Sequence, residues 1–352
     1  MTINTLRSIA QLRDAGLVPV EQTAALEKVA ARYAVAITPA VADLIDRDDP
    51  NDPLARQFIP DPAELVSQPN ERADPIGDDA FSPVEGIVER YPDRVLLKLV
   101  YACPVYCRFC FRREMVGPGG RRSLTADKRE AAYRYISQHP EMWEVILTGG
   151  DPLVLPPSLL RDVVRRLAAI DHVKIVRLHT RMPAVAPEQI TAELVEALRA
   201  PGATTYVALH ANHPRELSPA ARAACARIVD AGIPMLSQTV LLRGVNDDIE
   251  TLSALMRAFV ECRIKPYYLH HADLAPGTGH LRTSIAAGQD LMRQMRGRVS
   301  GLCQPAYVLD IPGGAGKVPV GPHYISATAD GAEQGYEVRT INGGLRAYPP
   351  HS

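Results

Sequence analysis

Cys103-Pro104-Val105-Tyr106-Cys107-Arg108-Phe109-Cys110 places three cysteines at spacings of four and three residues. Thiolate sulfur is a soft ligand that suits iron–sulfur clusters or zinc. Three thiolates can hold three irons of a [4Fe–4S] cube and leave the fourth iron open to a small molecule. Zinc sites usually close four ligands with paired C-x2–4-C units, and the sequence offers no fourth ligand nearby. A cluster is the leading reading. Zinc and structural thiols are the alternatives.

Outward from the cysteines, short β-rich apolar runs alternate with helical stripes. Arg94–Val100 reads as the strand that delivers Cys103, and Thr125–Ile136 as the next helix. Glu144–Leu147, Val173–Leu178, Thr205–Leu209, Met235–Leu242, Ile264–Leu269 and Ala306–Asp310 read as further strands. Between them lie a helix that Ser158 could cap, with Leu160, Val163, Val164 and Leu167 inward, then helices over Pro187–Leu198, Pro219–Val229, Asp248–Phe259 and Ala286–Met295. This alternation predicts an α/β fold with a parallel sheet and helices outside. Six such units predict a full or partial (β/α) barrel over residues 87–310. Residues 1–58 read as a helical region: Leu26, Val29, Ala30 and Tyr33 form one stripe, and Val41, Leu44 and Ile45 suggest a second short helix. Residues 59–86 are rich in Pro, Asp and Glu and read as a linker or wrapping arm. Residues 311–352 form a glycine–lysine loop and tail.

Composition narrows the function classes. The chain has 352 residues, 46% hydrophobic and 22% charged, with a net charge of −1. That balance reads as a globular protein and gives no general electrostatic case for nucleic acid. No apolar run reaches membrane-span length, and Arg7, Gln11, Arg13 and Asp14 interrupt any signal-peptide core, so the cytoplasm is expected. Six cysteines, three of them in one motif, do not form a disulfide framework. Cys225 shares a helical face with Ile228 and Val229, and Cys262 and Cys303 stand alone; core packing is expected for all three.

Barrel enzymes carry their chemistry on the loops that follow the strands. Here the three cysteines follow the first predicted strand, and Thr148-Gly149-Gly150-Asp151-Pro152 the second. His179 and Arg181 follow the third, His210, Asn212 and His213 the fourth, and His270, His271 and Asp273 the sixth. Gln238 lies within the fifth. Gly149 and Gly150 would let backbone approach a ligand, or make a tight turn, and Asp151 could hold a cationic amine. Asp310-Ile-Pro-Gly-Gly-Ala-Gly-Lys317 follows the last strand. It is not a phosphate loop: Ile311 stands where that motif needs glycine and Val318 where it needs Ser or Thr. A lysine flanked by glycine suits a Schiff base with a carbonyl cofactor, against the alternative of a solvated surface lysine.

With these residues assembled, the chain resembles the lysine 2,3-aminomutase family of radical S-adenosylmethionine (SAM) enzymes over about residues 45–325. Cys103, Cys107 and Cys110 match the superfamily's C-x3-C-x2-C motif, and Thr148–Pro152 its glycine-rich SAM motif. The resemblance implies a partial (β/α)6-type barrel, a [4Fe–4S] cluster, SAM and pyridoxal 5′-phosphate. It implies Lys317 as the pyridoxal-phosphate lysine, Arg94 on that cofactor's phosphate, and His210 and Gln238 in the SAM pocket. It implies Arg112 on the substrate carboxylate, and Asp273 and Asp310 on the substrate's distal ammonium. A guanidinium fork suits carboxylate and phosphate, and charge-assisted bonds of about 1.5–3 kcal/mol each select a cationic side chain. The implied reaction interconverts L-α-lysine and β-lysine: the reduced cluster cleaves SAM, the resulting radical takes hydrogen from the β-carbon, and the amino group migrates. A flavodoxin- or ferredoxin-type electron donor and a homo-oligomer are implied as partners, with no nucleic acid or membrane.

Several positions depart from the family pattern. His270 stands where clostridial-type members have tyrosine. The C-terminal zinc cysteines of longer members are lacking and Asp248 occupies the position of another, so zinc is not expected. Tyr267-Tyr-Leu-His270 resembles the branch that makes β-lysine for elongation factor P, although the glycine–lysine loop is fuller here. An aminomutase acting on glutamate or arginine, and a non-catalytic iron–sulfur or pyridoxal-phosphate regulator, are the competing readings.

Overall fold

The computed structural model describes residues 4–116, 123–327 and 335–348; parts of the expected N-terminal region and tail lie outside these. The N-terminal region contains the short helices α1 (Ile9–Asp14), α2 (Thr23–Ala30), α3 (Pro39–Ala42) and α4 (Ala55–Phe58). Side-chain oxygens start two of them. Ser8 accepts from the Gln11 N–H at 3.2 Å and Thr38 from the Val41 N–H at 3.4 Å. The Leu26–Tyr33 stripe is helical only to Ala30, with Tyr33 buried in the turn beyond it. The second expected helix ends at Ala42, and Leu44 and Ile45 reach the core from a turn.

Nine strands form one sheet in simple sequence order. β1 (Ile87–Tyr91) runs antiparallel to β2 (Arg94–Val100). Then β3 (Glu144–Gly149), β4 (Ile175–Thr180), β5 (Thr204–His210), β6 (Met235–Leu241), β7 (Ile264–His271) and β8 (Ala306–Asp310) continue in parallel. β9 (Lys317–Pro319) returns antiparallel to β8. Helices occupy the six crossovers from β2 to β8: α5 (Ala126–Ser137), α6 (Pro157–Ala168), α7 (Met182–Val185) with α8 (Ala192–Ala197), α9 (Pro219–Asp230), α10 (Ile249–Glu261) and α11 (Ile285–Met295). The sheet curls until its ends meet: the Lys317 N–H on β9 donates to the Tyr91 hydroxyl on β1 at 2.7 Å. The fold is a partial (β/α)6-type barrel, extended at each edge by an antiparallel strand.

Those edge strands have weak sequence signals. β1 reads Ile-Val-Glu-Arg-Tyr with only its first two residues buried, and β9 has three residues ending in proline. Two helices also differ from expectation. α6 begins at Pro157, a residue pre-set for a first turn, so Ser158 lies inside the helix and caps nothing. Pro187–Leu198 divides into a 3-10 turn at Pro187–Gln189 and α8, which Thr191 caps by accepting from the Leu194 N–H at 3.2 Å.

The core forms between sheet and helices. Val95, Leu97, Val145, Leu147, Val176, Leu178, Val207 and Leu209 join the inward stripes of α6 and α10 in one buried cluster. Each such side chain contributes about 1.5–3 kcal/mol by leaving water. Residues 59–86 cross the barrel mouth. Arg72 N–H donates to Leu274 O at 2.8 Å, and the arm's Glu64 and Asp78 are buried. Beyond β9, β10 (Ile325–Ala327), β11 (Tyr336–Arg339) and β12 (Leu345–Tyr348) make a small, mostly exposed antiparallel sheet. Among the described residues no helix is long and apolar enough to cross a membrane.

Candidate active site in the barrel interior

Strand register explains why distant residues meet. Side chains directly opposite each other in a sheet share a face. Lys98 pairs with Thr148, His179 with Ala208, His210 with Gln238, Gln238 with Tyr268, His270 with Val308 and Asp310 with Lys317. Gln238 Nε2 stands 3.3 Å from His179 Nε2, and Lys317 Nζ lies 5.4 Å from the Tyr268 ring.

The cysteines follow β2 on a loop clamped by buried charge. Arg108 donates through Nε to Glu64 Oε1 at 2.8 Å and through Nη1 to Ala34 O at 2.7 Å. Arg113 pairs with the same carboxylate, donates to Pro276 O and Gly277 O at 3.2 Å each, and lies 3.5 Å from the Tyr33 ring centroid. Burial pushes all three thiols up, Cys110 to about 11. Arg181 opposes this at Cys107, its Nη1 standing 2.9 Å from Sγ. Ligation by iron deprotonates such thiols outright. Among the described residues no three His, Cys, Asp or Glu side chains gather as ligands of one ion. A cube instead takes each thiolate on a separate iron.

The glycines after β3 serve this loop directly. Gly150 N–H donates to Val100 O at 2.5 Å, and a Cβ on Gly150 would stand 2.3 Å from Ala102 O. Gly149 has φ +110°, and its Cβ would lie 2.4 Å from Val100 O. Both positions therefore demand glycine because backbone meets backbone. The Asp151 carboxylate, expected to hold an amine, is taken up internally. It accepts from Thr180 Oγ1 at 2.8 Å, Arg181 N–H at 2.8 Å, Leu153 N–H at 3.0 Å and Met182 N–H at 3.2 Å. It thereby fixes the start of α7 and the backbone of Arg181. Burial pushes Asp151 up, and these donors oppose that.

Arg181 was noted in the sequence only by its place after a strand. Its guanidinium bridges Cys107 to Gln57 Oε1 at 2.7 Å and Glu216 Oε2 at 2.5 Å, stacked near Phe58 and Phe109. His210 lies beside this group, its ring 5.4 Å from Phe109 and its Nε2 3.1 Å from Asn212 Oδ1. Burial, then the Arg181 charge, pushes His210 well below its usual value, so the ring is neutral.

At the other end of the sheet stands Lys317, partly buried and not a solvated surface group. Its Nζ donates to Asp310 Oδ2 and lies 3.2 Å from His270 Nδ1. The preceding loop is seated by the arm: a Cβ on Gly77 would lie 2.6 Å from Gly313 C, and one on Gly314 2.2 Å from Phe81. Arg94 stacks 3.8 Å from the Tyr91 ring and pairs with Asp93 at 2.7 Å. Tyr91 in turn holds the Lys317 backbone, so Arg94 stands one residue removed from the lysine loop.

Two acids and one arginine complete the interior. Asp273 is half-buried, and its Oδ1, itself shielded from solvent, has no hydrogen-bond partner. Burial, then the Asp310 charge, pushes it up to about 7. Asp310 goes the other way: burial would raise it, but His270 and Lys317 outweigh that and hold it well below the carboxylate range. Arg112 donates through Nη2 and Nε to Asp78 Oδ2 at 3.0 and 3.3 Å, and its Nη1 lies 3.5 Å from Thr148 Oγ1. Glu64 and Asp78 escaped the sequence reading because the arm has no periodicity to mark an inward face. Tyr91 left one trace, its place in Tyr91-Pro-Asp-Arg94.

Residues 97–256 match the Radical SAM superfamily and residues 292–350 match Lysine-2,3-aminomutase. The L-lysine 2,3-aminomutase of Clostridium subterminale is 41% identical over 291 residues, 83% of this chain and 70% of that protein. The chain belongs to the lysine 2,3-aminomutase family of radical SAM enzymes. The L-lysine 2,3-aminomutase of Acetoanaerobium sticklandii is 37% identical over 92% of this chain and 77% of that one. A glutamate 2,3-aminomutase of Clostridioides difficile is 35% identical over 85% of this chain and 70% of that one. Membership makes the chain an isomerase and implies a [4Fe–4S] cluster, SAM and pyridoxal phosphate. The donor sets fit. Three half-buried thiols on one loop suit the cluster, and an amine on a glycine loop beside aromatic and basic side chains suits an aldehyde cofactor. The orphaned Asp273 oxygen suits a cationic substrate group.

Proposed function

We propose that this aminomutase acts on lysine, interconverting L-α-lysine and β-lysine with pyridoxal phosphate carried on Lys317. The observation that carries this reading is the half-buried acid pair, with the unpartnered, solvent-shielded Asp273 Oδ1 near Asp310. Two carboxylates repel, and a cation between them relieves the repulsion. A distal ammonium supplies that cation; the distal carboxylate of glutamate would add a third negative charge.

When bound, the cofactors supply the radical that removes hydrogen and the aldehyde that carries the migrating nitrogen. The chain's own residues do the rest. Cys103, Cys107 and Cys110 hold the cluster, and Arg181 steadies Cys107. Gly149 and Gly150 bring the backbone of β3 against the cluster loop, where His210 and Gln238 line the space for SAM. Asp151 acts there by fixing that wall through its four internal donors. Arg94, beside Tyr91, takes the phosphate of the cofactor. Arg112, oriented by Asp78 along one edge, offers its other edge to the substrate carboxylate. The arm across the mouth excludes water from the site.

Reduction of the cluster fits a cytoplasmic setting, where the free thiols of this chain stay reduced, with a flavodoxin or ferredoxin as donor. The Tyr267–His270 segment supports elongation factor P as a destination of the product. Incubation with isotope-labelled lysine, glutamate or arginine, together with SAM, pyridoxal phosphate and dithionite, tests the substrate directly. Mass spectrometry should show a labelled β-amino acid from lysine alone. Conversion of glutamate or arginine in its place would overturn the assignment, and cofactor binding without conversion of any substrate would favour a regulator.

A further inference from the structure

His270 has no role in the reading above, yet it touches the amine on which that reading turns. Its Nδ1 lies 3.2 Å from Lys317 Nζ and 3.4 Å from Asp310 Oδ2. Lys317 Nζ donates to that same Asp310 oxygen. Amine, imidazole and carboxylate thus form a closed triangle in which every member touches the other two. Side-chain exposure is only 18% for His270 and 12% for Asp310. The ring is held from the side by Tyr268, edge-on at 5.5 Å.

A lysine reacts with an aldehyde only after its ammonium has lost a proton. Two acceptors touch Nζ. Asp310 lies well below the carboxylate range, which makes it a poor base. Burial, then the Lys317 charge, lowers His270, so the ring begins neutral, and with its proton on Nε2 it presents Nδ1 as an acceptor. An imidazole is a much stronger base than a depressed carboxylate.

We propose that His270 accepts the proton that frees the Lys317 amine for its cofactor. The N–H bond at Nζ breaks, its electron pair stays on nitrogen, and the proton bonds to Nδ1. Positive charge moves from ammonium to imidazolium without leaving the triangle. Asp310 faces it before and after, so the transfer creates no uncompensated buried charge. When Nζ bonds the aldehyde carbon, one of its own two protons and the imidazolium's proton pass to the carbonyl oxygen, whose bond to carbon breaks as it departs as water.

The inference rests on Lys317 being the pyridoxal-phosphate amine, and its test separates the two. Cofactor-free protein is mixed with pyridoxal phosphate and quenched with borohydride over time. The labelled Lys317 peptide is then quantified by mass spectrometry for wild type, His270→Gln and His270→Asn, each checked for fold by circular dichroism. Loss of the proton acceptor should slow trapping by ~100-fold or more, leave the final extent unchanged, and allow added imidazole to restore part of the rate. An unchanged rate overturns the proposal, and so does a slower rate that imidazole leaves untouched. Trapping at another lysine in wild type would overturn the reading of Lys317 before any variant is compared.

Discussion

The cysteine loop and the lysine loop, which the proposed function makes the two halves of one reaction, are held by different forces. The first is locked by buried ions: Glu64 between Arg108 and Arg113, and Arg181 between Cys107 and Glu216. The second is seated by close backbone approach, with Gly77 against Gly313 and Gly314, and by the Tyr91 hydroxyl. Buried ions fix direction as well as position, because a displaced partner leaves a bare charge behind. Glycines at φ +79°, +84° and +99° permit a tight path and impose little else. The cysteine loop is thus fixed by directed charges, while the lysine loop follows a path that its glycines permit.

The largest effects should come from the reacting atoms themselves, and they should separate. Cys107→Ala should abolish activity and remove the reduced-cluster electron paramagnetic resonance signal, with Lys317 still trapping pyridoxal phosphate. Lys317→Ala should also abolish activity, while full iron content and the cluster signal persist. A cluster signal of wild-type strength in Cys107→Ala would break the ligand assignment. Loss of both cofactors in either variant would show that the two loops are not independently held.

The supports should give smaller and differently shaped losses. Glu64→Gln leaves Arg108 and Arg113 facing a neutral partner in a buried site, which should cost about 3–5 kcal/mol. Denaturant unfolding should register it, along with lower iron incorporation. Gly77→Ala places a Cβ 2.6 Å from the lysine loop at φ +71°, a strain of about 1–3 kcal/mol. Its effect should fall on pyridoxal-phosphate uptake, with iron content unchanged. If Gly77→Ala lowered iron content as much as Glu64→Gln, the arm would act as one unit across both loops and the contrast would fail.

Much of the cysteine half was legible because its spacing is local: three thiols in eight residues and a strand just before them. The barrel was legible through β-α periodicity, which survives wherever a strand is buried on both faces. The clamp was not. Glu64 and Asp78 lie in an arm without periodicity, and their partners are 44 to 49 and 12 to 34 residues away. Nothing local tells a buried carboxylate from the exposed ones beside it. Asp151 shows the converse. Its motif marked it as functional, but only the fold reveals that its carboxylate is engaged by Thr180, Leu153, Arg181 and Met182. Likewise Asp248, at a position compared with a zinc cysteine, caps α10 by accepting from the Thr251 N–H at 2.9 Å.

The smallest predicted effect is one of pH, and it tests the acid pair proposed to hold the substrate's ammonium. Burial, then the Asp310 charge, holds Asp273 at about 7. Below that pH the carboxyl is neutral and offers no charge to an ammonium; above it the carboxylate is ionised. Free lysine keeps its side-chain proton throughout, with a pKa of about 10.4. For wild type, kcat/KM for lysine should therefore rise with pH below about 7, by up to ~tenfold per unit, and flatten above it, because that ratio reports the free enzyme. Stability should move the opposite way. A carboxyl raised above its unfolded value binds more protons when native, so it favours the fold least once pH has passed about 7. Asp273→Asn should remove both the kinetic step and the stability slope. A variant that keeps the wild-type kinetic step would assign the titration to another group and leave Asp310 as the only carboxylate needed at that end.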